Sequence, residues 1–256
     1  MIDLTLMAKR GIFTAGFAAV NSPLGRRLVT PLLKAAYPEL ALRSGDELLC
    51  RPWRVLAFTA HPDDLDFFAG GTLRRLILSG SHVTAAVLTD GEKRGNKPDL
   101  GGVRQQEQLE AARKQGIQNV RFFGLTDFGM PEDPRLEPTV ARIWDEEQPD
   151  LVLAFDPKEL FPGIANRDHK ALGRTVLDLS RHHVGCCRVY YYGTHHPNVL
   201  MDIEPVMADK EEAVLTQASQ MLYLTTQGYR DAVRWWAEVC ATGAPCRYAE
   251  PLYRLL

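Results

Sequence analysis

Two short polar clusters have residue types and spacing suited to metal chemistry. The first is Ala60-His61-Pro62-Asp63-Asp64, followed by Gly70-Gly71-Thr72-Leu73. Zinc favours imidazole nitrogen and carboxylate oxygen, and a catalytic zinc keeps three protein ligands with one position open to water. His61 and Asp64 stand three residues apart on a turn stiffened by Pro62, a spacing that lets both bind one ion and leaves Asp63 free as a base. An ordinary turn is the competing reading, because Asp and Pro are common turn residues. The second cluster, Asn166-Arg167-Asp168-His169, offers His169 as a third ligand. Asn166 and Asp168 are also good helix N-caps. His169 is either that ligand or a first-turn surface histidine, a position where the helix dipole disfavours positive charge.

The elements around these clusters give them a common address. From Trp53 onward, apolar strand-like runs at 54–59, 82–89, 119–123, 151–155 and 188–192 alternate with helix-period segments at 71–78, 103–114, 139–147 and 169–180. Such alternation builds βαβ units and a parallel sheet. Gly80, Gly116 and Pro149 stop three of the helices. The expected fold is α/β, a Rossmann-like three-layer sandwich with a mostly parallel sheet. Both clusters then follow the carboxyl ends of strands, where open α/β sheets bind ligands. The loop 90–102 is long for a βα connection and is a candidate substrate loop.

Residues 1–50 read as a helical N-terminal extension and 51–256 as a single domain. Within the extension, 23–37 carries Arg26, Arg27 and Lys34 among leucines spaced for one apolar stripe. Packing on the domain is one reading of it; peripheral membrane contact through Phe13, Phe17 and the arginines is another, and a cleaved signal a third. A net charge of -2 provides no basic field for nucleic acid. Five cysteines, an odd count with Cys186 and Cys187 adjacent, do not make a disulfide framework, so a cytoplasmic location, with or without peripheral membrane contact, is expected. A homo-oligomer is left open.

Several pieces in order resemble the PIG-L / LmbE family of zinc-dependent N-acetylglucosaminyl deacetylases. They are Ala60 to Asp64 with Gly70-Gly71-Thr72-Leu73, then Thr89-Asp90-Gly91-Glu92, Arg104 with Glu107, Asp127-Phe128-Gly129-Met130, Asp168-His169, Met201-Asp202-Ile203 and Ser219-Gln220. The resemblance implies one Zn2+ per chain held by His61, Asp64 and His169, with Asp63 as general base for hydrolysis of an N-acetyl group on a small amino-sugar conjugate. It also places Asp168 in the catalytic group and Arg104 and Asp127 against the sugar or its aglycone. Arg104 has a simpler reading as an i,i+3 partner of Glu107 on a solvated helix face, and Asp127 as a turn residue.

Two positions depart from the family pattern. Leu65 and then Asp66 follow the paired aspartates where the family often has Glu, and Asn166 stands where many members place a histidine that stabilises the oxyanion. An amide donates a neutral hydrogen bond but no charge. His195 and His196, after the last of these strands, are candidates to share that task. His82 is expected in the core, and His182 and His183 at a helix end. The alternatives are an amidase on a non-sugar amide and a non-catalytic sugar- or metal-binding homologue. A nucleotide-binding module is disfavoured, because no G-x-G-x-x-G follows the first strand and Asp63 and Asp64 would repel a pyrophosphate.

Overall fold

The structure, a computed structural model, describes Arg27, Pro31 and residues 43–93, 99–158, 166–183, 185–194, 196–221 and 225–255. The helix expected at 23–37 and the candidate histidine His195 lie outside the described residues, apart from Arg27 and Pro31. The described residues form an eight-stranded sheet: β1 (Arg43–Ser44), β2 (Arg54–Thr59), β3 (His82–Thr89), β4 (Asn119–Leu125), β5 (Leu151–Phe155), β6 (Arg188–Tyr192), β7 (Val199–Asp202) and β8 (Ala249–Arg254). Their order is β1-β7-β8-β6-β5-β2-β3-β4. Strand β8 pairs antiparallel with both β6 and β7, and every other pairing is parallel.

Among the described residues from 43 onward, seven α-helices accompany the sheet: α1 (Asp64–Phe68), α2 (Gly70–Leu78), α3 (Leu100–Gln115), α4 (Leu136–Glu147), α5 (Arg167–Ser180), α6 (Met207–Thr216) and α7 (Thr226–Cys240). Helices α4 and α5 pack together, while α6 gathers α1, α2, α3 and α7. These two groups flank the sheet as the outer layers of a three-layer α/β sandwich. Central strands covered on both faces must be apolar along their whole length; β5 is buried throughout and β2 is buried except for Arg54. His82 is exposed at the first position of β3, so it is not the core histidine expected from the sequence. A strand's leading residue sits at the sheet margin, before the covering helices begin. His182 and His183 do follow the end of α5, with His183 stacked on Trp144 at 4.8 Å.

Residues 43–48 add an edge strand and a 3-10 turn to the sheet, tied down by Trp53 Nε1 donating to Leu48 O and by the Tyr190 hydroxyl on Glu47. The five cysteines are free thiols. Among the described residues no helix is long and apolar enough to cross a membrane. Strand order reverses between β2 and β5: β3 and β4 lie on one side and β6 on the other. The crevice outside their carboxyl ends is where such a sheet binds ligands.

Candidate metal centre and its surroundings

The turn leaving β2 and the start of α5 meet in that crevice. Gly173 lets α5 come close to β5, for a Cβ there would lie 2.5 Å from Phe155 O. His169, in the first turn of α5, is buried and stacks flat on Phe155 with ring centroids 3.8 Å apart. Asp64 opens α1, and its carboxylate accepts from His61 N at 2.8 Å and from Thr59 Oγ1 at 3.2 Å.

Three donor groups converge here. His61 Nδ1 lies 3.1 Å from His169 Nε2 and 3.2 Å from Asp64 Oδ2, and His169 Nε2 lies 3.2 Å from Asp64 Oδ1. Tetrahedral zinc with ligands at about 2.0–2.1 Å separates neighbouring donors by about 3.3 Å. The spacing and the two-imidazole, one-carboxylate chemistry therefore fit a single divalent ion.

The same proximity couples the ionisation of the three groups. Burial works against charge at His61, yet Asp64, Asp127 and Asp168 together raise its pKa well above the ordinary imidazole value. Burial also opposes charge on Asp64, but His169 and His61 hold it far below the usual carboxylate range. His169 is shifted down, by burial first. Without metal, an imidazolium at His61 beside an ionised Asp64 is favoured, and a metal ion would displace the proton from His61 Nδ1 on binding.

A second group of acids faces the other edge of the His61 ring. Nε2 is 3.2 Å from Asp168 Oδ2 and 3.3 Å from Asp127 Oδ1. Both carboxylates already receive backbone donors: Phe128 N at 2.7 Å and Met130 N at 3.1 Å on Asp168, and Lys93 N at 2.7 Å on Asp127. Burial works against charge on Asp127, yet the His61 ring and then the Lys93 N–H hold it below its ordinary pKa. These acids orient the His61 ring from outside, as carboxylates commonly do behind metal-binding imidazoles. His169 Nδ1 is buried and has no partner among the described residues.

Asp63 is built differently. It is buried, and its φ of 95° is a conformation L-residues rarely adopt. Gln108 Oε1 accepts from its backbone N–H at 2.7 Å, and Arg104 Nη2 lies 3.3 Å from Asp63 Oδ2. Arg104 is only 1% exposed; it also donates to Pro62 O and, at 2.8 Å, to Gly91 O. It is not on a solvated face, and Glu107 is instead taken by the backbone and hydroxyl of Ser219. Gly91 is required beneath it, since its φ is +63° and a Cβ would meet Arg104 Nη1 at 2.0 Å. The one signal for Gln108 in the sequence is its place four residues after Arg104 on the same helix.

Asn166 is the N-cap of α5: its Oδ1 accepts from Asp168 N at 2.9 Å. His196 is exposed, its N–H donating to Thr194 Oγ1 at 3.1 Å. Leu65 is fully buried, and Asp66 lies beneath the site between Gln115 and Gln217, whose amides donate to its two oxygens at 2.7 Å each. Burial raises the Asp66 pKa to about 7.

Fold and site together define an α/β protein with an enclosed His-Asp-His donor set at the switch point of its sheet. Residues 56–180 match the family described as PIG-L: GlcNAc-PI de-N-acetylase, so the chain carries a domain of that family over just under half of its length. It is 27% identical over 190 residues to diacetylchitobiose deacetylase of Thermococcus kodakarensis, an alignment covering 65% of this chain and 70% of that one. A 1D-myo-inositol 2-acetamido-2-deoxy-alpha-D-glucopyranoside deacetylase of Saccharomonospora viridis is 30% identical over 168 residues, covering 54% of this chain and 61% of the relative. Among solved structures, N,N'-diacetylchitobiose deacetylase of Pyrococcus horikoshii superposes with a TM-score of 0.69 at 25% identity, covering 78% of this chain and 83% of that one.

Proposed function

We propose that this chain is a metal-dependent N-deacetylase that releases acetate from an N-acetylglucosamine-type conjugate. His61, Asp64 and His169 would hold one zinc ion. The observation carrying this reading is the mutual approach of three donor groups to 3.1–3.2 Å, with an independently held carboxylate, Asp63, one residue away. A divalent metal there would supply Lewis acidity toward an amide carbonyl and toward water.

The chain's own residues do the rest. Asp63 takes a proton from the attacking water as its oxygen bonds to the carbonyl carbon. When the C–N bond breaks, that proton passes to the departing amine nitrogen, leaving acetate and a free amino sugar. Gln108 and Arg104 fix the backbone and carboxylate of Asp63, so little reorganisation is needed during the step. Asp168 and Asp127 hold the His61 ring through Nε2 and stay out of proton transfer. Asn166, occupied as a helix cap through Oδ1, is given a structural role with at most a minor contribution to oxyanion binding.

The test is a screen of zinc-loaded protein against a panel of N-acetylglucosaminides, reading acetate and free amine in equal amounts. Asp63→Asn should retain metal and lose about 100- to 10,000-fold in turnover. Near-native turnover in that variant, or no release from any member of the panel, would overturn the proposal.

A further inference from the structure

Phe128 is out of place by ordinary rules. Its side chain is 51% exposed, and its φ is +54°, the left-handed region that bulky residues avoid. Such a conformation costs about 1–3 kcal/mol and persists where the surroundings impose it. Here Asp168 imposes it: its two carboxylate oxygens accept the N–H groups of Phe128 and Met130, which bracket Gly129. The same Asp168 orients the His61 ring. One buried acid therefore fixes both a metal-binding imidazole and a neighbouring exposed aromatic ring, 6.0 Å apart between centroids. The other exposed large apolar side chains among the described residues, Leu78, Val103 and Leu109, lie on helices α2 and α3 and share none of this.

We propose that the Phe128 ring is the platform on which the pyranose ring of the substrate lays its apolar C–H face. This rests on the deacetylase reading above and deepens it by assigning a residue that selects a sugar over other N-acetyl amines. With an amide carbonyl at the donor cluster, ordinary bond lengths put the attached sugar carbon only about 2.4 Å from the carbonyl carbon. The Phe128 ring, 6.0 Å from the His61 ring between centroids, is then within a ring-width of a pyranose attached there. An aromatic face carries negative charge density and attracts the weakly positive C–H groups of such a ring. An acyclic N-acetyl amine offers no comparable face.

The variants are chosen to keep the turn. Phe128→Asn removes the ring but leaves a residue that tolerates positive φ, and Phe128→Trp keeps an aromatic surface. Turnover is measured on an N-acetylglucosaminide and on N-acetylethanolamine, with metal content and melting temperature for each protein. Phe128→Asn should raise KM for the sugar about tenfold with kcat little changed, leave kcat/KM for N-acetylethanolamine unaltered, and keep full metal and an unchanged or higher melting temperature. Phe128→Trp should restore most of the sugar affinity. Equal losses on both substrates, loss of metal, or an unchanged sugar KM in Phe128→Asn would overturn the proposal. Should the wild type cleave neither substrate, the deacetylase reading fails alone, and saturation-transfer NMR with N-acetylglucosamine decides this one. Transfer to the pyranose protons must then occur in the wild type and vanish in Phe128→Asn; the same signal in both, or none in either, contradicts it.

Discussion

Arg104 and Asp63 make a buried ion pair whose energetic coupling should be measurable without any substrate. Their side chains approach to 3.3 Å, both nearly inaccessible to water. At that distance two unit charges attract by about 5 kcal/mol with an effective dielectric of about 20. Desolvation of both ions cancels much of this, while removing one partner of a buried pair costs about 3–5 kcal/mol. Arg104→Met keeps the unbranched stem of the side chain but removes the guanidinium, with its charge and its donors to Pro62 O and Gly91 O. It should therefore destabilise the metal-free protein by roughly 3 kcal/mol or more. In an Asp63→Asn background the charge-dependent part is already gone, so the same substitution should cost about 1–3 kcal/mol less. Urea unfolding of the four metal-free proteins gives the coupling directly. Additivity within about 0.5 kcal/mol would refute the idea that Arg104 acts on Asp63 and would return it to a role in packing or substrate contact.

Two further outcomes follow from the surroundings of the site. Asn166→Ala removes an N-cap and should cost about 1 kcal/mol in thermal or urea unfolding, with turnover on the active member of the sugar panel falling less than about tenfold; a 100-fold loss would give the amide a real share of oxyanion binding. Asp66 has a folded pKa near 7, above its unfolded value, so the stability it contributes is complete below about pH 4 and is lost as pH rises through about 7. The melting temperature of the metal-free wild type should thus fall relative to Asp66→Asn between pH 5 and 8; parallel profiles would contradict this.

Strands β2 to β6 and helices α2 to α5 were legible because their apolar runs and stop signals are local. Strands β2, β3, β5 and β6 carry the expected bounds, and α3 and α4 begin three residues earlier than periodicity alone suggests. Nothing comparable marks the C-terminal elements. Strand β8 contains Glu250 and Pro251, which argue against a central strand. Yet Glu250 is buried because Lys210 pairs with it and the first amides of α2 donate to it, partners remote in sequence. The site divides in the same way. His61, Asp63, Asp64 and His169 could be chosen from short clusters at strand ends. The roles of Arg104, Gln108 and Phe128 could not, because they depend on a helix face turned inward and on a backbone conformation that Asp168 enforces.

The central claim is that one divalent ion belongs to His61, Asp64 and His169 and not to the neighbouring His61, Asp127 and Asp168 group. Anomalous diffraction at the zinc edge from crystals of the zinc-loaded protein tests it most directly. A single peak is expected about 2.0–2.2 Å from His61 Nδ1, a carboxylate oxygen of Asp64 and His169 Nε2. A peak between His61 Nε2, Asp127 and Asp168, or none near His169, would contradict it.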